Sequence, residues 1–430
     1  MALAAFSIRS GEETRQMQVV CLDDLVPADD DLRRVEALID WDHVRRTAAP
    51  FYRPGGAGWP GIDPAVLVKL ALVLAWRGLP SMRETLKVAA TDVAIRRFLG
   101  FGLTERLPDH STFSHAQTKR FADSAVFEQL FTAVLRRCTE AGLVGGRRLC
   151  VDGTHIEADA ALKSLRAELT PIDGDGDGDG DGGIVADASA ESPRPALALA
   201  QSRSGPTPKR RASNQTAVSQ TDPDAKLRHK PGHRTHLVHR GQVAVDPKAR
   251  VIVAVQAEQA TGSEADCLEA IVTRARFAGH SVAELAADSG YASQDAYATL
   301  DRLNTMALIP PQPGAKHAAA EQARERMRSP TGRDGAVDRQ AHAEGAISEL
   351  KHHGAGRARC RGTRLLQLQL LAAATAINLK RLLKTDTAAA GQQTGDPGTN
   401  AVAIRGLTRL LVGALDEIDR LTATETSTAS

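Results

Sequence analysis

Apolar residues recur at helical spacing through the first 140 residues of the chain. The clearest run is 65–74, where Asp63 can cap a helix and Pro64 suits its first turn. Ser81 and Glu84 form a capping box at the start of a second helix. Further helices are predicted at about 91–100, 112–121 and 124–138. The pattern therefore predicts an all-helical N-terminal region.

Basic residues are scattered over these helices, among them Arg96, Arg97 and Lys119. They fit a DNA-binding bundle, and an ordinary structural helical domain fits the same pattern equally well. The pattern does not single out a helix that would enter a DNA groove.

Two short apolar runs in the second part of the chain each lead into an aspartate. Residues 149–151 precede Asp152 and Gly153, and residues 285–287 precede Asp288. We predict two strands that end at their aspartates, with Gly153 letting the backbone turn away. Two carboxylates at strand ends would suit a shared metal ion.

Hairpins and alternating helices surround these two strands in the sequence. Strands are predicted at 236–239, 243–246 and 251–255, and the turn 246–248 would join the last two. Helices near 264–278 and 294–302 alternate with strands at 282–288 and 307–309. This order predicts a mixed α/β sheet.

A long polar stretch interrupts the second part of the chain. Asp-Gly occurs five times between 173 and 182, and a Ser-, Pro-, Ala- and Arg-rich tract continues to about residue 220. Such a segment cannot bury enough apolar surface to fold, so we predict a disordered insert at about 161–225. After it, helices are predicted at 338–353 and 365–383. A linker at 385–400 and a short helix near 402–421 would follow.

The net charge of +2 conceals two basic blocks. Residues 203–240 carry nine Lys or Arg and two acids, and residues 350–384 carry eight and none. Seven acids without a base lie in 173–191. The basic blocks fit binding to a polyanion such as DNA. Solvated basic faces give the same pattern, so charge alone does not establish the function.

Five scattered cysteines without a CxxC pair argue against a disulfide framework or a cysteine-rich zinc site. The sequence has no apolar run of eighteen residues and no signal-peptide layout at Met1–Ser10. We therefore expect a soluble cytoplasmic protein with no membrane partner.

Two-metal phosphodiester chemistry usually requires a third carboxylate, and the predicted helix 338–353 offers Glu344 and Glu349. On an α-helix, Glu344 shares a face with Ser348 and Lys351, whereas Glu349 is rotated away. The adjacent apolar stripe consists of Ala343, Ile347 and Leu350. A solvent-facing Glu–Lys pair is the simpler interpretation of the helix alone. The two aspartates favour Glu344 as a ligand.

These motifs together resemble the DDE transposases of bacterial insertion sequences. DPAVLVKLALVLAWRGLPSMRETLK, FLGFGL and PDHSTFSHAQTKRF resemble the N-terminal helical domain of that family. VDGTHIEADA and LAADSGYASQDAYATL are similar to its first and second catalytic blocks. AEGAISELKHHGAGRARCRG resembles the third block, in which Glu is followed by six residues and then Lys.

The resemblance implies an RNase H-like mixed sheet flanked by helices and preceded by an all-helical N-terminal domain. It implies a DNA-binding domain over 1–142 and a catalytic domain over 143–385. A linker, a short helix and a tail would occupy 386–430.

The resemblance also implies the site. Asp152, Asp288 and Glu344 would ligate two Mg²⁺ ions, with Mn²⁺ as a possible replacement, and Lys351 would contact a backbone phosphate. A phosphate-binding surface would be extended by Arg357, Arg359, Arg361 and Arg364.

The implied partners are double-stranded DNA at the transposon ends and the target, and a second copy of the chain in the DNA complex. The protein would then be associated with the bacterial nucleoid. The Tyr and Arg that usually precede the Glu fall at Val337 and Gln340. Whether Arg339 substitutes for that Arg is open at this point.

Two further functions compete with an active transposase. One is a transposase-derived DNA-binding protein that has lost catalysis, which the missing Tyr and Arg would suit. The other is a nuclease or resolvase on the same core, which would not need a domain that binds terminal repeats.

Overall fold

The computed structural model describes residues 21–52, 61–167, 214, 217–229 and 234–392. The Asp-Gly repeat and the helix predicted near 402–421 lie outside this part of the chain. Contacts group residues 1–382 into one compact unit and residues 383–430 into a second. The end of the last helix is the described part of the second unit. The boundary near residue 142 stays a prediction.

The predicted all-helical N-terminal region is confirmed. Asp63 Oδ1 accepts a hydrogen bond from the Ala65 amide at 2.8 Å, and Ser81 Oγ accepts one from the Glu84 amide at 3.2 Å. The described helices are α1 Asp31–Leu38, α2 Trp41–Ala48, α3 Pro64–Arg77, α4 Met82–Thr91, α5 Val93–Leu99, α6 His110–Ala116 and α7 Val126–Glu140.

Helix α3 is apolar on all sides and lies at the centre of this region, as expected of a helix without a polar face. Its one charged interior residue, Lys69, is buried and paired with Glu36 at 2.7 Å.

No single described helix is long and apolar enough to cross a membrane. By length and composition, α3 and α4 pass that test only as a pair bent by 93°.

A six-stranded mixed sheet follows the helical region. The central path runs β4-β5-β1-β7-β8, and β6 pairs with β5. Strand β5 is antiparallel to its neighbours, whereas β1, β7 and β8 run parallel. This arrangement confirms the predicted RNase H-like mixed sheet. The strands are β1 Arg148–Glu157, β4 Lys226–Arg228, β5 His236–Asp246, β6 Val251–Gln259, β7 Glu284–Ala286 and β8 Met306–Leu308.

The prediction that β1 ends at Asp152 is wrong. Strand β1 continues to Glu157 and pairs with β5 throughout Cys150–Glu157. Gly153 is not a turn residue. A Cβ atom there would lie 3.1 Å from Gln242 Oε1 and 3.2 Å from Tyr291 Oη, so the glycine makes room for these two side chains. The two strands predicted at 236–239 and 243–246 are likewise one continuous strand, β5.

Helices flank the sheet, and several boundaries differ from the predictions. Helices α10 and α11 were not predicted. Helix α13 continues to Gln392, through the first part of the predicted linker. The helices are α8 Leu268–Phe277, α9 Gln294–Arg302, α10 Ala318–Arg328, α11 Pro330–Asp338, α12 Glu344–Leu350 and α13 Thr363–Gln392.

The two ends of the insert predicted to be disordered at 161–225 form regular secondary structure. Strands β2 (Leu165–Ala167) and β3 (Ala217–Ser219) pair with each other in an antiparallel ribbon. Most of the remaining insert lies outside the described residues.

The last residues of the predicted insert hold the start of α13. Asp224 Oδ2 accepts hydrogen bonds from the amide and the hydroxyl of Thr363, both at 2.9 Å. Its Oδ1 accepts a third from Gln259 at 3.0 Å. Asp224 thus satisfies one of the free amides that every helix N-terminus leaves.

Asp224→Ala is expected to lower the free energy of unfolding by about 1–2 kcal/mol, the usual effect of losing a helix cap. Urea denaturation would measure it. The exposed Asp334, for which the structure gives no side-chain hydrogen bond, provides a control, since Asp334→Ala should change stability by less than about 0.5 kcal/mol. Equal unfolding midpoints for the two variants would contradict this role.

Candidate active site

Two parallel strands bring Asp152 and Asp288 to the same edge of the sheet. Cys150 is paired with Ala286, and each aspartate follows its strand's paired residue by two positions. Both side chains are partly buried. The prediction that these two carboxylates lie at neighbouring strand positions therefore agrees with the register, although β1 itself continues.

Asp152 lies in a crowded electrostatic environment. Its side chain is 15% exposed, and it accepts hydrogen bonds from the Gly153 amide at 2.8 Å and from Arg339 at 3.2 Å. Burial raises the pKa of Asp152 to about 6, and the charges of Asp288 and Glu344 also raise it. The charge of Arg339 and the Gly153 hydrogen bond act in the opposite direction. Asp288 and Glu344 are thus close enough for their charges to act on Asp152.

Arg339 links the sheet to the late helix. Its guanidinium lies 3.2 Å from Asp152 Oδ2 and 3.4 Å from Glu344 Oε1. Residues five apart do not normally share a face of an α-helix. Arg339–Ala343 forms a π-helical turn, whose hydrogen bonds join residues i and i+5, and this turn brings Arg339 alongside Glu344.

Glu344 and Glu349 occupy different environments. Glu344 is 54% exposed beside Arg339, whereas Glu349 forms an ion pair with Arg381 of α13. Ser348 and Lys351 are exposed like Glu344. The predicted apolar stripe is buried and consists of Ala343, Ile347 and Leu350. The helical phase used to distinguish the two glutamates therefore holds through α12.

The carboxylates of the site can be compared with the ligands of a divalent cation. Among the described residues, no three His, Cys, Asp or Glu side chains are already arranged to hold a metal ion. Carboxylate oxygens are nevertheless the donors that Mg²⁺ prefers. The Arg339 guanidinium, itself a cation, lies between Asp152 and Glu344. In charge and donor chemistry the carboxylates fit a hard cation.

The Asp-x-Gly-Tyr motif fixes the loop after β7. Asp288 Oδ1 accepts the Gly290 amide at 2.8 Å, and the fully buried Tyr291 donates its hydroxyl hydrogen to Gln242 Oε1. Gln242 in turn donates to Glu258 at 2.6 Å. The loop that carries Asp288 is therefore tied to the middle of β5.

A fourth carboxylate, Glu264, was not predicted as a site residue. It is half-buried, and a Cβ atom at residue 290 would collide with its Oε2. Burial and then the charge of Asp288 raise the pKa of Glu264. Arg240 donates hydrogen bonds to the carbonyls of Thr261 and Ser263 and so holds the preceding loop. Glu264 is far from Asp288 in sequence, so no motif spacing could have identified it.

The predicted phosphate-binding residues separate into two groups. Lys351 and Arg357 are exposed, and neither forms an ion pair with another described residue. Arg359 donates to the Gly354 carbonyl at 2.7 Å, and burial lowers its pKa to about 10. Arg361 lies 3.7 Å from Asp159, and Arg364 pairs with Asp123. The last three are thus engaged within the protein, and the role of all five stays a prediction.

Two protein-family models match the chain, and the second covers part of the candidate site. A transposase domain (DUF772) matches residues 20–119, within the helical region, and a transposase DDE domain matches residues 305–383, which include Glu344 and Lys351. No solved structure matches the chain. Both matched models describe transposases. Together they support the predicted resemblance to the DDE transposases of insertion sequences.

Tyr291→Phe is expected to lower the free energy of unfolding by about 1–3 kcal/mol, because it leaves the buried Gln242 oxygen without a donor. Urea denaturation would measure the loss. Tyr297→Phe is a matched comparison, since that hydroxyl is also buried but makes a longer bond of 3.2 Å to the Ile309 carbonyl. A Tyr291→Phe protein as stable as the parent would show that the Gln242 bond is unimportant.

Proposed function

We propose that the protein binds the terminal inverted repeats of its insertion sequence and catalyses metal-dependent DNA strand cleavage and strand transfer. One observation carries the proposal: Arg339 bridges Asp152 and Glu344, and the charge of Asp288 also reaches Asp152. These are the three positions that match the catalytic blocks of the family. The substrate of the protein would be chromosomal DNA, so the protein would act at the nucleoid.

Asp152, Asp288 and Glu344 would hold two Mg²⁺ ions, or Mn²⁺ in their place. Bound metal would supply activation of the attacking water or DNA 3′-hydroxyl and stabilisation of the leaving oxygen. The protein's own contribution is positional. The sheet fixes the two aspartates, and Arg339 offsets the repulsion between Asp152 and Glu344.

Lys351 would contact a DNA phosphate on the exposed face that it shares with Glu344. Of the four predicted arginines, Arg357 is the one whose exposed side chain forms no ion pair with a described residue, so we expect it to bind phosphate most directly. Such contacts position DNA without reading its sequence. A second copy of the chain would complete the complex that joins two transposon ends.

A catalytically inactive DNA-binding protein is the second candidate. It is favoured by the missing Tyr and Arg of the family signature, whose positions are occupied by Val337 and Gln340. The contacts of Arg339 argue against it, because they supply the Arg that the signature lacks at Gln340.

Purified protein with Mg²⁺ is expected to nick a supercoiled plasmid that carries the ends of its element. Asp152→Ala, Asp288→Ala and Glu344→Ala should each reduce nicking by more than about 100-fold, because each removes a metal ligand. Gel electrophoresis would measure nicking, and binding in Ca²⁺ should persist in all three variants.

Glu349→Ala is the matched control on the same helix. It removes the ion pair with Arg381, so it should lower stability while leaving nicking within a few-fold of the parent. Loss of nicking in this variant together with full nicking by Glu344→Ala would overturn the choice of the third carboxylate. A parent protein that binds the ends but never nicks them would support the inactive candidate.

A further inference from the structure

We infer that Arg228, the last residue of β4, binds a DNA backbone phosphate beside the candidate active site. The inference rests on the proposed function and extends it to a residue outside both family matches, which cover 20–119 and 305–383. It adds to the predicted set a contact from the segment that follows the insert.

Strand pairing places Arg228 on a definite face of the sheet. Arg228 is paired with His236 of β5, and Arg240 of β5 is paired with His155 of β1. Because side chains alternate along a strand, these residues share one face. The Arg228 guanidinium reaches across β5 and contacts the His155 ring.

The surroundings of His155 are cationic. Burial and then the charges of Arg228, Arg240 and Lys351 lower the pKa of His155 to about 4. The ring is therefore neutral at physiological pH and does not add to the positive charge. Lys351, from the end of α12, thus acts electrostatically on the same ring as Arg228.

The three cations differ in their partners. Arg240 is buried and paired with Glu258 at 2.6 Å. Arg228 and Lys351 are exposed, and in the described part of the chain neither has a carboxylate within ion-pair distance. The charge of Arg228 also acts at longer range on the half-buried Glu264. Two exposed cations thus remain available to an anion.

The location suits a phosphate of a bound DNA strand. His155 follows Asp152 by three residues of the same strand, so the two side chains point to opposite faces of the sheet. The link to the site is Glu264, which lies against Gly290 of the Asp288 loop and on which the charge of Arg228 also acts. A phosphate held by Arg228 would therefore lie on the Glu264 side of the site. Arginine can donate two parallel hydrogen bonds to a phosphate, which a single ammonium group cannot do.

Binding to a duplex of arbitrary sequence in Ca²⁺, followed by fluorescence anisotropy over a salt series, would test the inference. Arg228→Ala should weaken binding about tenfold at physiological salt and flatten the dependence of log K on log salt by about 0.9, the contribution of one phosphate contact. Arg228→Lys should restore the slope. Arg302→Ala is a matched control, because Arg302 is paired with Glu269 on helices α9 and α8, and it should leave the slope unchanged.

An Arg228→Ala slope equal to that of the parent would overturn the inference, with or without a lower melting temperature. A lower melting temperature at unchanged slope would assign Arg228 to holding β4 against His155. If the parent protein itself does not bind DNA, the proposed function and this inference both fail. If the parent binds and Arg228→Ala matches it, the inference alone fails.

Discussion

Repulsion among carboxylates is the constraint on which the candidate site depends. The charges of Asp288 and Glu344 act on Asp152, and burial of Asp152 makes its negative charge costly. Two features offset that cost in the protein itself. The Gly153 amide donates to Asp152, and the Arg339 guanidinium lies between Asp152 and Glu344. Like charges can be brought together here because a cation and a backbone amide accompany them.

The sheet keeps this arrangement rigid through a polar network on the Glu264 side of the site. Tyr291 bonds to Gln242, Gln242 to Glu258, and Glu258 to Arg240. Arg240 then holds the loop that precedes Glu264. A buried network whose members satisfy one another rigidifies the elements that it joins. The loops that carry Asp288 and Glu264 are thereby both held by hydrogen bonds to side chains of the same strand, β5.

Periodicity predicted most of the regular elements because burial follows it. The apolar run of α3 and the hairpin of β5 and β6 are examples, and Asp246 Oδ1 accepts the Lys248 amide at 2.9 Å in the predicted turn. The prediction of two strands at 236–239 and 243–246 was wrong because polar residues between them, including Gln242, are buried by the network. A polar residue in the sequence does not reveal that its partners lie on other elements.

The site could be predicted in part for a similar reason. Asp152 and Asp288 follow apolar runs, and Glu344 follows from helical phase, so local pattern was enough to predict all three as site residues, a role that stays a prediction. Gly153 was misinterpreted, since its missing side chain accommodates Tyr291, a residue distant in sequence. Glu264 could not be found from spacing, because only the fold brings it to Asp288.

The type of helix determines whether Arg339 can lie beside Glu344, which is five residues away in sequence. The family signature puts an Arg where Gln340 stands, four residues before the Glu, and four residues bring two side chains together on an α-helix. Here the Arg is five residues before the Glu, and the intervening turn is π-helical, which brings residues five apart together. Both spacings place a cation beside the Glu, and here Arg339 contacts Glu344 and Asp152. On the proposed function, the local geometry of the helix would compensate for the departure in sequence.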